Sequence, residues 1–258
     1  TAWLYSALML QQGNRINEAV EELERSQALN DHRQIYRSKL LLDQDRAVRS
    51  ANLAALYEDI GLPEASRRAA SRAVSERYTD FSGHWFLANS YYSQAGDNLI
   101  DLRFQTARQS ELLVANLLAP PGAGNLSQQL SQSDHLRFFD ERPFGVSAQS
   151  EYLSYGDWRT AVTAFGTEKG FSYALDASYE KLNGQQPNGE AERRQFIFTA
   201  KQRVTPDDDA YFQIGTYHAD LGDVATYYDP AQSQLGFNAM ERQEPTLYAG
   251  WHHAWLPG

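Results

Sequence analysis

Residues 171–180 alternate without a break: Phe171, Tyr173, Leu175, Ala177 and Tyr179 against Ser172, Ala174, Asp176, Ser178 and Glu180. In an extended chain successive side chains point to opposite faces, so this segment predicts a strand with one apolar, aromatic face and one small, polar or acidic face. The same period recurs at 144–153 (Phe144, Val146, Ala148, Tyr152), 157–166, 194–204 (Phe196, Phe198, Ala200, Val204 against Gln195, Thr199, Lys201, Arg203), 210–218 and 246–255 (Leu247, Ala249, Trp251, Trp255). Each segment is about ten residues long, which is the length a tilted strand needs to cross a bilayer. Strands of soluble sandwiches usually stop at about five or six.

The connections are unequal. On the side from which the first strand rises, the expected turns are Thr167–Gly170, Thr205–Asp209 and Leu256-Pro257-Gly258, all short. The other side has a tight turn near Gly156-Asp157, then Asn183–Glu192 and a long excursion from Leu221 to Glu244. Short turns at one end and long loops at the other are the asymmetry of an outer-membrane barrel. Tyr152, Tyr155 and Trp158 gather at one strand end and Trp251 and Trp255 at another, as rings at the lipid headgroup level do. Six strands are fewer than the eight with which bacterial barrels usually begin, so the chain is expected to hold part of a longer barrel.

Before residue 118 the period is helical. Ala2 to Leu10, and Ile16 to Leu23 after a Gly13-Asn14 break, describe an amphipathic hairpin; Ala51, Leu53, Ala54 and Tyr57 lead to Gly61 and then Pro63-Glu64-Ala65. Gly61 suits a helix end and Pro63 a first helical turn. Trp85 to Tyr92 predicts a third first-helix. Trp3, Leu23, Tyr57, Trp85 and Tyr91 are read as helix-packing residues, and stacked helix pairs would offer a groove to a peptide or partner protein. The expected domains are therefore 1–118, helical; 119–143, a linker opened by Ala119-Pro120-Pro121-Gly122 and rich in Ser and Gln from Asn125 to Ser133; and 144–258, strands.

Composition narrows the function. The chain of 258 residues has no cysteine, which removes disulfides, thiolate nucleophiles and iron–sulfur sites. A net charge of -10 argues against nucleic acid, whose binding rests on Lys and Arg. The acid lies mainly in the second half, where 10 Lys and Arg face 18 Asp and Glu, against 13 and 15 before residue 119. Mean hydropathy is -0.59 and no apolar run approaches 18 residues, so no transmembrane helix is expected; a barrel with a wet lumen accommodates that value. The chain opens on Thr1, with no basic segment followed by an apolar one, and is expected to be processed, trimmed or incomplete there.

No enzyme is expected. There is no Gly-x-Ser-x-Gly elbow and no phosphate-cradling glycine loop. Neighbouring His252 and His253 would point to opposite strand faces and so share no metal. Asp207-Asp208-Asp209 reads as a solvated turn, Asp229-Pro230 as a turn in the long loop, and Glu18, Glu21 and Glu22 as an exposed helix face. No cofactor and no metal follow from these patterns.

The helical segments resemble the tetratricopeptide repeat, through Ala54-Tyr57-Gly61-Ala65, Ala88-Tyr91 and, more loosely, Ser6, Met9, Gly13 and Ala19. Together with Leu112 to Pro120, Arg142-Pro143-Phe144-Gly145, Glu151-Tyr152-Leu153-Ser154, Asp223 to Pro230 and Gln243-Glu244-Pro245, the chain resembles bacterial outer-membrane proteins that join such repeats to a barrel like that of TonB-dependent receptors. The resemblance implies an α+β multidomain protein of the outer membrane, with a periplasmic helical domain that docks an envelope protein and a barrel in lipid serving as channel, receptor or export passage. It lacks the plug domain of those receptors and an energy-coupling box near Thr1. Asp176, Glu180, Lys201 and Arg203 are the candidate lumen-facing residues. Export of an exopolysaccharide is an alternative within the same class, and a soluble scaffold of helical repeats plus a β-sandwich is an alternative outside it.

Overall fold

The computed structural model describes residues 2–30, 39–94, 107–121, 126–127, 143–225 and 227–255, which divide into two compact units, Thr1–Ala119 and Pro120–Gly258. Most of the expected linker, 119–143, and the expected terminal turn at Leu256–Gly258 lie outside the described residues.

In the first unit small residues on helix faces let neighbouring helices approach. Its helices are α1 (Ala2–Gln12), α2 (Ile16–Asn30), α3 (Lys39–Asp59), α4 (Pro63–Glu76), α5 (Phe81–Gln94) and α6 (Ala107–Leu118). They pack as successive pairs, α1 on α2, α3 on α4 and α5 on α6, with α3 also touching α5. Ala7, Ala19, Leu23, Leu53, Ala54, Leu56, Ala69, Ala70 and Leu87 form the core, with Tyr57 and Tyr91 packed against it.

Met9 is exposed and its neighbour Ala7 takes the buried place; α4 buries Ser66, Ala69, Ala70 and Ala73, while Ala65 is only half-buried. The helix ends explain both hairpins. Gly61 has φ +72°, its N–H reaches the Glu58 carbonyl and that of Leu62 reaches Tyr57, the left-handed cap that closes α3 before Pro63 opens α4. At the first hairpin the left-handed residue is Asn14 (φ 55°), not Gly13.

One side chain of this unit, His84, makes polar contacts while buried. Its ring is 1% exposed, its Nδ1 lies 2.5 Å from Glu111 Oε2 on α6, and its Nε2 lies 2.8 Å from the Tyr78 carbonyl. Both ring nitrogens thus face acceptors, which only the imidazolium satisfies. Burial alone would lower the His84 pKa; the Glu111 carboxylate and the Tyr78 carbonyl outweigh it, and the net shift is upward from 6.5. A raised folded pKa contributes stability that is fully present below the unfolded value and is lost as pH rises through the folded one. The thermal midpoint of the helical signal should therefore fall as pH rises above about 6.5, and His84→Gln should flatten the curve. A midpoint that is level or rises across that window in the parent chain would refute it.

The second unit is one antiparallel sheet in sequential order, made of β1 (Gly145–Tyr152), β2 (Trp158–Glu168), β3 (Phe171–Leu182), β4 (Ala191–Thr205), β5 (Asp208–Leu221) and β6 (Ala239–His253). It is open, with β1 and β6 as its edges among the described residues. Lys169 (φ 48°) and Gly170 (φ 79°) make the two-residue turn between β2 and β3, a left-handed pair whose twist matches the strands it joins. Pro206-Asp207 joins β4 to β5 at the same end.

At the other end the connections are 153–157, 183–190 and 222–238. The last is shorter than the expected Leu221–Glu244 excursion because β6 begins at Ala239. Pro245 hides that start: the register passes from Gly215↔Thr246 to Tyr217↔Gln243, so Glu244 and Pro245 together oppose Thr216 in a bulge. A proline has no N–H for the ladder, and the extra residue reverses the phase of the alternation. The aspartate run is also redistributed. Asp207 alone is in the turn; Asp208 and Asp209 begin β5, and Asp209 is buried.

Candidate functional site

Register assigns each strand residue to one of two faces, because paired residues of an antiparallel sheet lie on the same side. One face carries the row Val146, Ala164, Leu175, Phe198, Ile214, Leu247, apolar across all six strands. Val146, Val162, Phe196, Phe212, Leu247 and Trp251 on this face are exposed. The opposite face carries Thr163, Asp176, Gln195, Thr199, Lys201 and Gln213, and these polar side chains are buried. The sheet is thus inverted with respect to a water-soluble one, where the apolar side is the covered side.

Asp176, Glu180, Lys201 and Arg203 all fall on the polar face, in three separate groups. Nearest the long loops, Glu151, Arg159, Glu180 and Arg193 follow one another across β1 to β4 in a single register row. Arg159 Nε donates to Glu180 Oε1 at 2.7 Å, Arg193 Nη1 donates to Glu180 Oε2, and Arg159 Nη1 lies 3.6 Å from Glu151 Oε2. Signs alternate along the row, so the Glu180 carboxylate sits between two guanidiniums in charge-assisted bonds.

In the middle, Asp176 Oδ1 accepts from Thr163 Oγ1 and from Ser127 Oγ, both at 2.6 Å, with all three side chains buried. Toward the short turns, Asp209 holds Arg203 (Nε to Oδ1, 3.3 Å) and faces the buried Lys201 Nζ at 4.0 Å. Burying an ammonium is costly unless an opposite charge is at hand, which Asp209 supplies. Tyr211, Tyr217 and Tyr248 also lie on this face among Gln195, Gln213 and Gln243; the Tyr211 hydroxyl donates to Gln213 Oε1 at 3.0 Å.

Arg159, Arg193 and Asp209 are the partners the sequence reading missed. Each is in phase with the residues chosen there, but Arg193 lies before the expected start of its strand and Asp209 lies in the expected turn. Ser127 carries no such signal.

The two longer loops are tied to each other at the strand ends. Asp223 is buried and accepts from Gln234 N (2.6 Å), Ala225 N (3.3 Å) and the Tyr227 hydroxyl (3.3 Å). The Gln234 N–H chiefly holds its carboxyl below the usual range, against the opposing effect of burial. Gln186 Nε2 donates to the carbonyls of Asp223 and Ala225, and Asn188 Nδ2 to those of Gln234 and Phe237. A cavity of about 250 Å³ lies beside them, lined by Lys181, Asn188, Glu190, Glu192, Asp220 and Asn238 among others.

Among the described residues no group of three or more His, Asp or Glu could hold a metal ion. His252 and His253 pair with Asp209 and Asp208 and so occupy opposite faces. No protein-family model, curated protein or solved structure matches the chain.

Proposed function

We propose that this chain belongs to an outer-membrane protein of a Gram-negative bacterium, in which the sheet is part of a barrel wall in lipid and the helical unit is a periplasmic domain that docks an envelope protein. The observation that carries the reading is the inverted sheet. An apolar face turned outward costs free energy in water and is stabilised against acyl chains, while buried polar side chains suit a lumen where they bond each other and water.

Strand length agrees: β2 to β6 run from 11 to 15 residues, enough to cross a bilayer at a tilt. Aromatic residues mark both ends of the outer face, Tyr152 and Trp158 toward the long loops, Phe171 and Trp251 toward the short turns. None of the described helices is long and apolar enough to cross a membrane, so the strands carry the proposal alone. The role is that of a channel or receptor, with Asp176, Glu180, Lys201 and Arg203 facing the passage and no catalytic group, cofactor or nucleic acid assigned. A β-sandwich scaffold would need a second sheet packed over the apolar row, and the described residues form one sheet.

One observation favours export of an exopolysaccharide as the particular role. Tyr248 and Gln243 on β6, neither of them fully buried, put an aromatic face and an amide on the polar side, the groups that stack on and hydrogen-bond to sugar rings.

The test is the gel mobility of the full-length protein extracted from outer membranes in detergent. A folded barrel should migrate at a position that boiling changes. Mobility indifferent to boiling, together with recovery in the soluble fraction, would overturn the barrel. For the narrower role, deletion should abolish secreted polymer; undiminished polymer would remove it.

A further inference from the structure

On the apolar side of the sheet two polar register rows follow one another toward the long loops. The row nearer the apolar residues is Tyr179, Arg194, His218 and Arg242, paired in succession across β3 to β6. The next is Lys181, Glu192, Asp220 and Met240. Same-face residues recur at every second position, so the rows stand about 7 Å apart along the strands. Down this face of β4 the order is therefore Glu192, Arg194, Phe196, Phe198: acid, cation, then apolar side chains. Down β5 it is Asp220, His218, Thr216, Ile214.

Arg194 and Arg242 are 67% and 64% exposed and flank His218, one strand to either side. Arg194 Nε donates to Glu192, and His218 Nε2 lies 2.6 Å from Glu244 Oε1. Arg242 Nε stays 3.7 Å from that oxygen, beyond hydrogen-bonding distance. Guanidinium donors form a fork that fits phosphate oxygens, and here two such forks face one gap. The upper row opens into the cavity of about 250 Å³, where Glu190 joins Glu192 and Asp220, three carboxylates to the one ammonium of Lys181. The side chains of Glu190 and Asp220 hold no hydrogen bond among the described residues.

A ligand complementary to these layers carries an ammonium outermost, a phosphate beneath it and acyl chains below. We infer that the outer side of β4 to β6 is a site for phosphatidylethanolamine. Its ammonium enters the cavity among Glu190, Glu192 and Asp220, its phosphate lies between Arg194 and Arg242, and its chains run along Phe196, Phe198 and Ile214. This rests on the proposal that lipid covers the apolar side, and names the lipid. A phosphatidylglycerol head brings no cation to the carboxylates, and the trimethylated ammonium of phosphatidylcholine donates no hydrogen bond to them.

The test uses the full-length protein in detergent, probed by native mass spectrometry with the dioleoyl forms of these three phospholipids. Phosphatidylethanolamine should be retained about tenfold more strongly than either rival, the order of one hydrogen bond between charged groups. Glu190→Gln with Asp220→Asn should erase that preference, and Arg194→Gln with Arg242→Gln should weaken retention of all three. All four side chains are exposed, so both variants should still shift on boiling as the parent does. Equal retention of the three lipids by a parent protein that shifts on boiling overturns the site and leaves the barrel standing. A preference that survives loss of both carboxylates also overturns it. Free O-phosphoethanolamine bound as tightly as the lipid overturns a lipid as the occupant. Mobility unchanged by boiling removes the lipid-covered face and the site with it.

Discussion

With lipid covering the apolar face as proposed, Phe198→Arg destabilises the assembled sheet by about 2–4 kcal/mol, the cost of a guanidinium at the middle of a hydrocarbon layer. Phe198 is in the centre of the all-apolar row and midway along β4, with Leu175 and Ile214 directly beside it. Gln202→Arg is on the same face but at the strand end, opposite Phe171, where the cost should fall to about 0–1 kcal/mol. Urea titration of both variants in lipid vesicles measures the difference. Equal costs at the two positions would mean that depth has no effect and that lipid does not cover this face. A soluble sheet makes the contrary forecast, since arginine on a partly exposed apolar surface changes stability by about 0.5 kcal/mol or less.

The second large effect is on the polar face. Glu180→Ala leaves Arg159 and Arg193 adjacent with no carboxylate between them, and Arg193 is only 16% exposed. The loss should be about 2–3 kcal/mol, combining the bonds to a charged acceptor with repulsion between the cations left behind. Glu180→Ala with Arg193→Leu should recover much of that loss, because the surplus cation goes with its partner. The same vesicle titration reads it. A single variant as stable as the parent, or a double variant less stable than the single, would show that the row carries no coupled interaction.

The strands were legible because alternation is a local property. Phe171 to Glu180 needs no knowledge of the rest of the chain to be read as two-faced, and β3 spans it. Where local phase is interrupted, reading failed: Pro245 and its bulge concealed the first residues of β6, and the aspartate run concealed the first residues of β5. Helix ends behaved similarly. Gly61 was readable since Pro63 follows it, whereas at Gly13-Asn14 either residue tolerates the left-handed conformation and the structure uses Asn14. The candidate site was half legible: Asp176, Glu180, Lys201 and Arg203 could be placed on one side, but not beside Ser127, Arg193 or Asp209.

Period along a single strand determined which side chains share a face, and period along the first hundred residues determined that they are helices. Both are consequences of backbone geometry that each residue imposes on its neighbours. Which face is covered, and which charge meets which, was decided only by tertiary structure. Those outcomes depend on register between strands, set by the Lys169-Gly170 turn and the Pro245 bulge, and on a serine brought onto the sheet from 36 residues before its neighbour Thr163. Contacts of that kind are non-local, so no window of sequence contains them.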